Sequence, residues 1–159
     1  MATALYAGSF DPIHLGHLAL MEVAAAHFDR LFVVAAGNPR KQGVLFAIDE
    51  RRNLIAASTA HLANVAAIAH TGLVVDAAAA IGADVLLRSI GKEHRAEFEM
   101  AAMNFDMTGI RTVFLAPPAA TAYIASRYVR ERFALDGSTL CAISSPSRSR
   151  ARSRGHALR

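Results

Sequence analysis

Unbroken apolar runs alternate with amphipathic stretches along the chain. Leu31-Phe32-Val33-Val34-Ala35-Ala36 contains no polar residue, the pattern of a strand covered on both faces. Leu5 to Ala7, Val65 to Ala69, Val85 to Leu87 and Thr112 to Leu115 predict shorter strands. Between them, helical spacing of apolar positions predicts helices from Leu15 to Phe28, Asp49 to about His61, Leu73 to Ile81, Glu93 to Met107 and Ala122 to Phe133. Gly82 supplies a C-terminal stop for the third. This alternation predicts an α/β fold: a Rossmann-like doubly wound sheet of about five parallel strands with helices on both faces. Ligands of such sheets bind beyond the carboxyl ends of the strands.

With 159 residues, 53% of them hydrophobic, the chain suits one domain with a substantial core. No apolar run reaches the roughly 18 residues of a membrane helix, so no membrane partner is expected. Met1 to Ala7 leads directly into a strand pattern without a basic start, so no signal peptide is read and a cytoplasmic location is expected. Cys141 is the only cysteine, which excludes an internal disulfide and a thiolate metal cluster; no protein metal site is predicted. The net charge of +4 is misleading as a sign of nucleic acid. Residues 144–159 carry five of the 17 basic residues and none of the 13 acidic ones, leaving 12 basic against 13 acidic in residues 1–143. We therefore read residues 1–143 as the folded domain and 144–159 as a flexible Ser/Arg-rich tail, with nucleic-acid contact confined to weak, salt-sensitive binding through that tail.

Candidate chemistry concentrates where the first strand meets the first helix, in Gly8-Ser9-Phe10-Asp11-Pro12-Ile13-His14-Leu15-Gly16-His17. Gly8 is expected to permit the sharp turn, Asp11 to cap the helix and Pro12 to occupy its first position. Three-residue spacing sets His14 and His17 side by side at the helix N-terminus, where amides and dipole already favour an anion. Gly16 is expected to let a ligand approach the backbone.

This turn resembles that of the His-x-Gly-His nucleotidyltransferase superfamily. Asn38-Pro39-Arg40-Lys41, Phe46 to Arg51, Gly72 to Asp76, Gly82 to Arg88, Met103-Asn104 and Thr112 to Leu115 follow in an order that resembles the phosphopantetheine adenylyltransferase family, over about residues 3 to 131. The resemblance implies an enzyme that transfers the adenylyl group of ATP, carried with Mg2+, to 4'-phosphopantetheine. It implies catalytic roles for His17, Lys41 and Arg88, and ATP contacts from Gly8, Ser9, Phe10, His14, Gly16, His17, Glu99, Ser126 and Arg127. The acceptor would meet Ser9, Lys41, Leu73, Val74, Arg88 and Asn104, and the assembly would be a homo-oligomer, a hexamer in the family. As sequence features, Leu73, Val74 and Met103 also fit plain helix packing.

Three features depart from the family pattern, one being the Ser/Arg-rich stretch that replaces the C-terminal helix usual in the family. Gly91 stands where a second arginine is usual, and Ala125 and Arg127 interrupt a run of serines before the last helix. Since both places touch the triphosphate in the family, altered ATP handling is expected. Alternatives are adenylyl or cytidylyl transfer to another phosphorylated acceptor, such as nicotinate mononucleotide, or a weakly catalytic nucleotide-binding paralogue.

Overall fold

The computed structural model describes residues 1–37, 43–90 and 94–136. Residues 144–159, and with them the expected tail, lie outside the described residues, as do Lys41 and Gly91.

Strands and helices alternate as the apolar pattern requires: β1 (Thr3–Gly8), α1 (Leu15–His27), β2 (Arg30–Gly37), α2 (Ile48–Ser58), β3 (Val65–Thr71), α3 (Val74–Ile81), β4 (Val85–Ser89), α4 (His94–Thr108), β5 (Arg111–Leu115) and α5 (Ser126–Asp136). The five strands form one parallel sheet in the order β3-β2-β1-β4-β5. The chain builds outward from β1 to β3, then returns across β1 to lay down β4 and β5. That reversal opens a crevice at the carboxyl ends of β1 and β4.

Residues alternate between faces along each strand, which divides the core in two. Ala4, Tyr6, Leu31, Val33 and Leu87 pack with Leu20, Met21 and Ala24 of α1, Leu54 and Ile55 of α2 and Val129 of α5. Leu5, Ala7, Val34 and Leu86 face Val75, Ala77 and Ala78 of α3. The Leu86↔Thr112 register sets Phe114 on this second face, where Phe98 of α4 meets it edge-on at 4.8 Å. Helices thus cover both faces.

Several boundaries differ from the sequence reading, and two of them have a visible local cause. The second helix stops at Ser58, where Ser58 and Thr59 turn their hydroxyls back onto the carbonyls of Leu54 and Ile55, a local bond that competes with helix continuation. The last helix starts at Ser126, because Ala119 to Tyr123 form turns closed by bonds to Pro118 and Thr121. Gly82 adopts the left-handed conformation and ends α3 as expected.

Candidate active site

The tight point of the first turn is Phe10, at φ 45°, and not a glycine. Gly8 serves a different need, since a Cβ there would lie 3.0 Å from the Phe10 ring. An aromatic residue in the left-handed region is uncommon and marks a turn held by its surroundings. Phe10 is buried, with its ring edge-on to Tyr6 at 5.4 Å and to His17 at 4.9 Å.

Asp11 and Pro12, joined by a cis peptide bond, do not begin the helix. α1 starts at Leu15, and His14 is its N-cap. The Asp11 carboxylate is fully buried and accepts the Leu45 amide at 3.1 and 2.9 Å and the Phe46 amide at 2.9 Å. Arg130 of α5 donates to the Asp11 carbonyl at 2.8 Å and lies 3.4 Å from its carboxylate. Two amides and a guanidinium hold this anion better than one helix-cap amide could. Ser126 adds a bond to the Pro12 carbonyl at 3.0 Å, so the N-terminus of α5 is fastened to the first turn.

His14 and His17 stand together as their spacing predicts, with rings stacked at 3.6 Å and 20°. His14 Nδ1 accepts the His17 amide at 3.3 Å, which places the proton of a neutral His14 ring on Nε2. Burial lowers its pKa from 6.5 to about 4. Burial, reinforced by the neighbouring His14, holds His17 well below the usual range. Both rings are therefore neutral donors at physiological pH. His17 Nδ1 is buried without a hydrogen-bond partner among the described residues. A Cβ on Gly16 would fall 3.1 Å from the His14 ring and 3.2 Å from the Thr121 carbonyl. The missing side chain thus makes room for protein groups that shape the site.

The histidines border a cleft of about 710 Å3, walled by α1, the end of β4, the start of α4 and residues 117–128. Of the residues expected at the nucleotide, His14, Gly16, His17, Ser126 and Arg127 line it. Arg127 lies 4.7 Å over the Tyr128 ring and donates to its hydroxyl at 2.8 Å. Glu99 does not line the cleft; it is exposed and paired with Arg95 at 3.0 Å. Glu97 lines it instead, together with Tyr6. Burial pushes the Tyr6 hydroxyl well above the ordinary phenol range, so it remains protonated. Helical periodicity holds the missed signal: Glu97 and Asn104 are seven apart and share a face, whereas Glu99 is turned away by two residues.

Arg88 is the next-to-last residue of β4. It donates to the Ala7 carbonyl at 3.3 Å and pairs with Glu97 at 3.4 Å. Leu73, the N-cap of α3, and Met103 of α4 are about half exposed, and Val74 is partly buried. Core packing therefore does not account for Leu73 and Met103. Asn104 is buried. Among the described residues, no three His, Cys, Asp or Glu side chains come together as metal ligands, and no helix is long and apolar enough to cross a membrane.

The cytidylyltransferase-like family model matches residues 5–132. A phosphopantetheine adenylyltransferase of Actinobacillus pleuropneumoniae is 41% identical over 138 residues, 85% of this chain and 87% of that protein. Those of Corynebacterium diphtheriae and a Nocardioides species are 37% and 39% identical, covering 82% and 86% of this chain and 84% and 87% of theirs. Among solved structures, a protein assigned as a nicotinate-nucleotide adenylyltransferase from Vibrio parahaemolyticus superposes with a TM-score of 0.62 at 17% identity, covering 95% of this chain and 99% of that one. A lipopolysaccharide core biosynthesis protein from Thermoplasma volcanium gives 0.55 at 21%, over 74% and 97% of the two chains. At those identities the likeness speaks for the fold alone.

Proposed function

We infer the activity from the premise that this chain belongs to the cytidylyltransferase-like family, among the phosphopantetheine adenylyltransferases. It is a nucleotidyltransferase of coenzyme A biosynthesis that moves the adenylyl group of ATP to 4'-phosphopantetheine, giving 3'-dephospho-CoA and pyrophosphate. The observation that carries this reading on the molecule itself is the stacked His14–His17 pair at the mouth of the α1 N-terminus, facing the 710 Å3 cleft.

An oxygen of the acceptor phosphate attacks the α-phosphorus of ATP, and the bond from that phosphorus to the oxygen bridging it to the β-phosphorus breaks. The nucleophile is already an anion, so the protein's task is placement and charge stabilisation. The neutral imidazoles of His14 and His17 donate to phosphate oxygens on which charge accumulates, with the first-turn amides of α1 and α5 as further donors. Phe10 supports the His17 ring edge-on, and Ser9 meets a phosphate of the bound ligands. Arg127 brings to the triphosphate the positive charge that Gly91 does not supply. Glu97 takes the place at the nucleotide expected of Glu99. Arg88 and Lys41 hold the acceptor phosphate, while Leu73, Val74 and Asn104 border its arm. Mg2+, carried by ATP, would offset the charge of the triphosphate. The exposed Phe98, Met100, Phe105 and Met107 of α4 give an apolar surface consistent with a homo-oligomer, a hexamer by family resemblance. Residues 144–159 are dispensable for this chemistry, and the cytoplasm is the site of action.

Pyrophosphate release with MgATP and a panel of phosphorylated acceptors tests the reading. Phosphopantetheine should be the preferred acceptor. Preference for nicotinate mononucleotide would reassign the substrate, and nucleotide binding without turnover on any acceptor would make the chain a binding paralogue.

A further inference from the structure

Arg51 is charged and almost wholly buried, yet none of the roles above uses it. It sits in the first turn of α2, whose start is held by Glu50 accepting the Ala47 amide at 2.9 Å. One guanidinium nitrogen donates to two carbonyls, that of Ser9 at 2.7 Å and that of Ala36 at 3.2 Å. Its Nε is buried without a partner, and no carboxylate pairs with it among the described residues. Burying a cation without a counter-ion is costly, and an apolar side chain there would cover the same core more cheaply, as Leu54 and Ile55 do on the same helix.

The two carbonyls explain what the guanidinium is for. Ser9 belongs to the turn that receives phosphate, and Ala36 is the next-to-last residue of β2, after which the chain enters the segment carrying Lys41. We propose that Arg51 is a positioning residue for adenylyl transfer: it locks the Ser9 turn to the end of β2 and sets an unneutralised positive charge behind the phosphates. The anionic ligands then serve as the counter-ion that the protein itself does not provide. This rests on the adenylyltransferase reading for its kinetic consequences, but the lock exists in the ligand-free protein and is measurable there.

Three variants of the full chain separate the bridge from the charge. Arg51→Lys keeps a cation with enough donors for both carbonyls, Arg51→Gln keeps donors without charge, and Arg51→Met keeps neither. With phosphopantetheine and MgATP, Arg51→Met should lower kcat/KM by about 100-fold, the scale of a small misplacement of reacting groups. Arg51→Gln should fall between, and Arg51→Lys should stay within about tenfold of wild type. Independently of turnover, hydrogen exchange of the ligand-free Arg51→Met protein should quicken at the His17, Leu45 and Phe46 amides, which belong to or bond with the first turn, and remain unchanged at Leu86 and Val113 in the sheet. Uniform quickening at all these amides would reduce Arg51 to a packing residue, and unchanged exchange at the turn would remove the lock; either overturns the proposal, whatever the activity. An inactive wild type with locally quickened exchange in the variant would leave the lock standing and instead refute the adenylyltransferase reading.

Discussion

At the scale of single residues the site is governed by what burial does to charge. His14 titrates at about 4 instead of 6.5 because its ring is taken out of water. Above pH 6.5 its proton inventory is the same in the folded and unfolded chain, so it adds no pH dependence. Between 6.5 and 4 the unfolded chain takes up a proton that the folded one refuses, and stability falls, by about 3 kcal/mol at the lower end. His14→Asn removes this titration and retains a side chain well suited to an N-cap. Melting temperature followed from pH 7 to 4 should decline less steeply in the variant than in wild type; parallel profiles would show that His14 is not buried as described. Asp11 makes the opposite case, an anion wholly satisfied inside. In Asp11→Asn an amide group would face the Leu45 or Phe46 N–H, donor against donor, and the Arg130 ion pair would be lost. We expect a loss of about 3 kcal/mol in urea unfolding, and an unchanged midpoint would deny the carboxylate its structural role.

Among the elements, α1 and α5 converge on one cleft because the first turn binds both. Ser126 and Arg130 reach back to Pro12 and Asp11, and the Thr121 carbonyl presses on Gly16. Gly16→Ala would push the His14 ring and the 117–125 segment apart by a few tenths of an ångström. The expected result is a KM for ATP raised about tenfold with kcat less affected, because the variant widens the ground-state site; steady-state kinetics at saturating acceptor checks this. An unaltered KM would mean that the cleft tolerates the shift.

For the molecule as a whole, the apolar runs sufficed for five parallel strands and their helices, since a buried strand such as Leu31 to Ala36 admits few alternatives. The pairing of His14 with His17 was legible for the same reason, being a matter of local period. What escaped the sequence depends on contacts across the fold. That Phe10 rather than Gly8 makes the turn follows from the Tyr6 and His17 rings around it. That Asp11 binds residues 34 and 35 positions away could not be read from a helix-cap signal, nor could the burial of Arg51 among carbonyls be read from the charged run Asp49 to Arg52. Glu97 was missed through a choice between two neighbouring acids that only the face of α4 decides. The central claim is that the paired neutral histidines hold the charge that develops on the transferring phosphate. Single-turnover pyrophosphate release by His17→Ala, with saturating MgATP and phosphopantetheine, tests it most directly. The account predicts a rate about 100-fold below wild type with ATP still bound; a wild-type rate in that variant would contradict it.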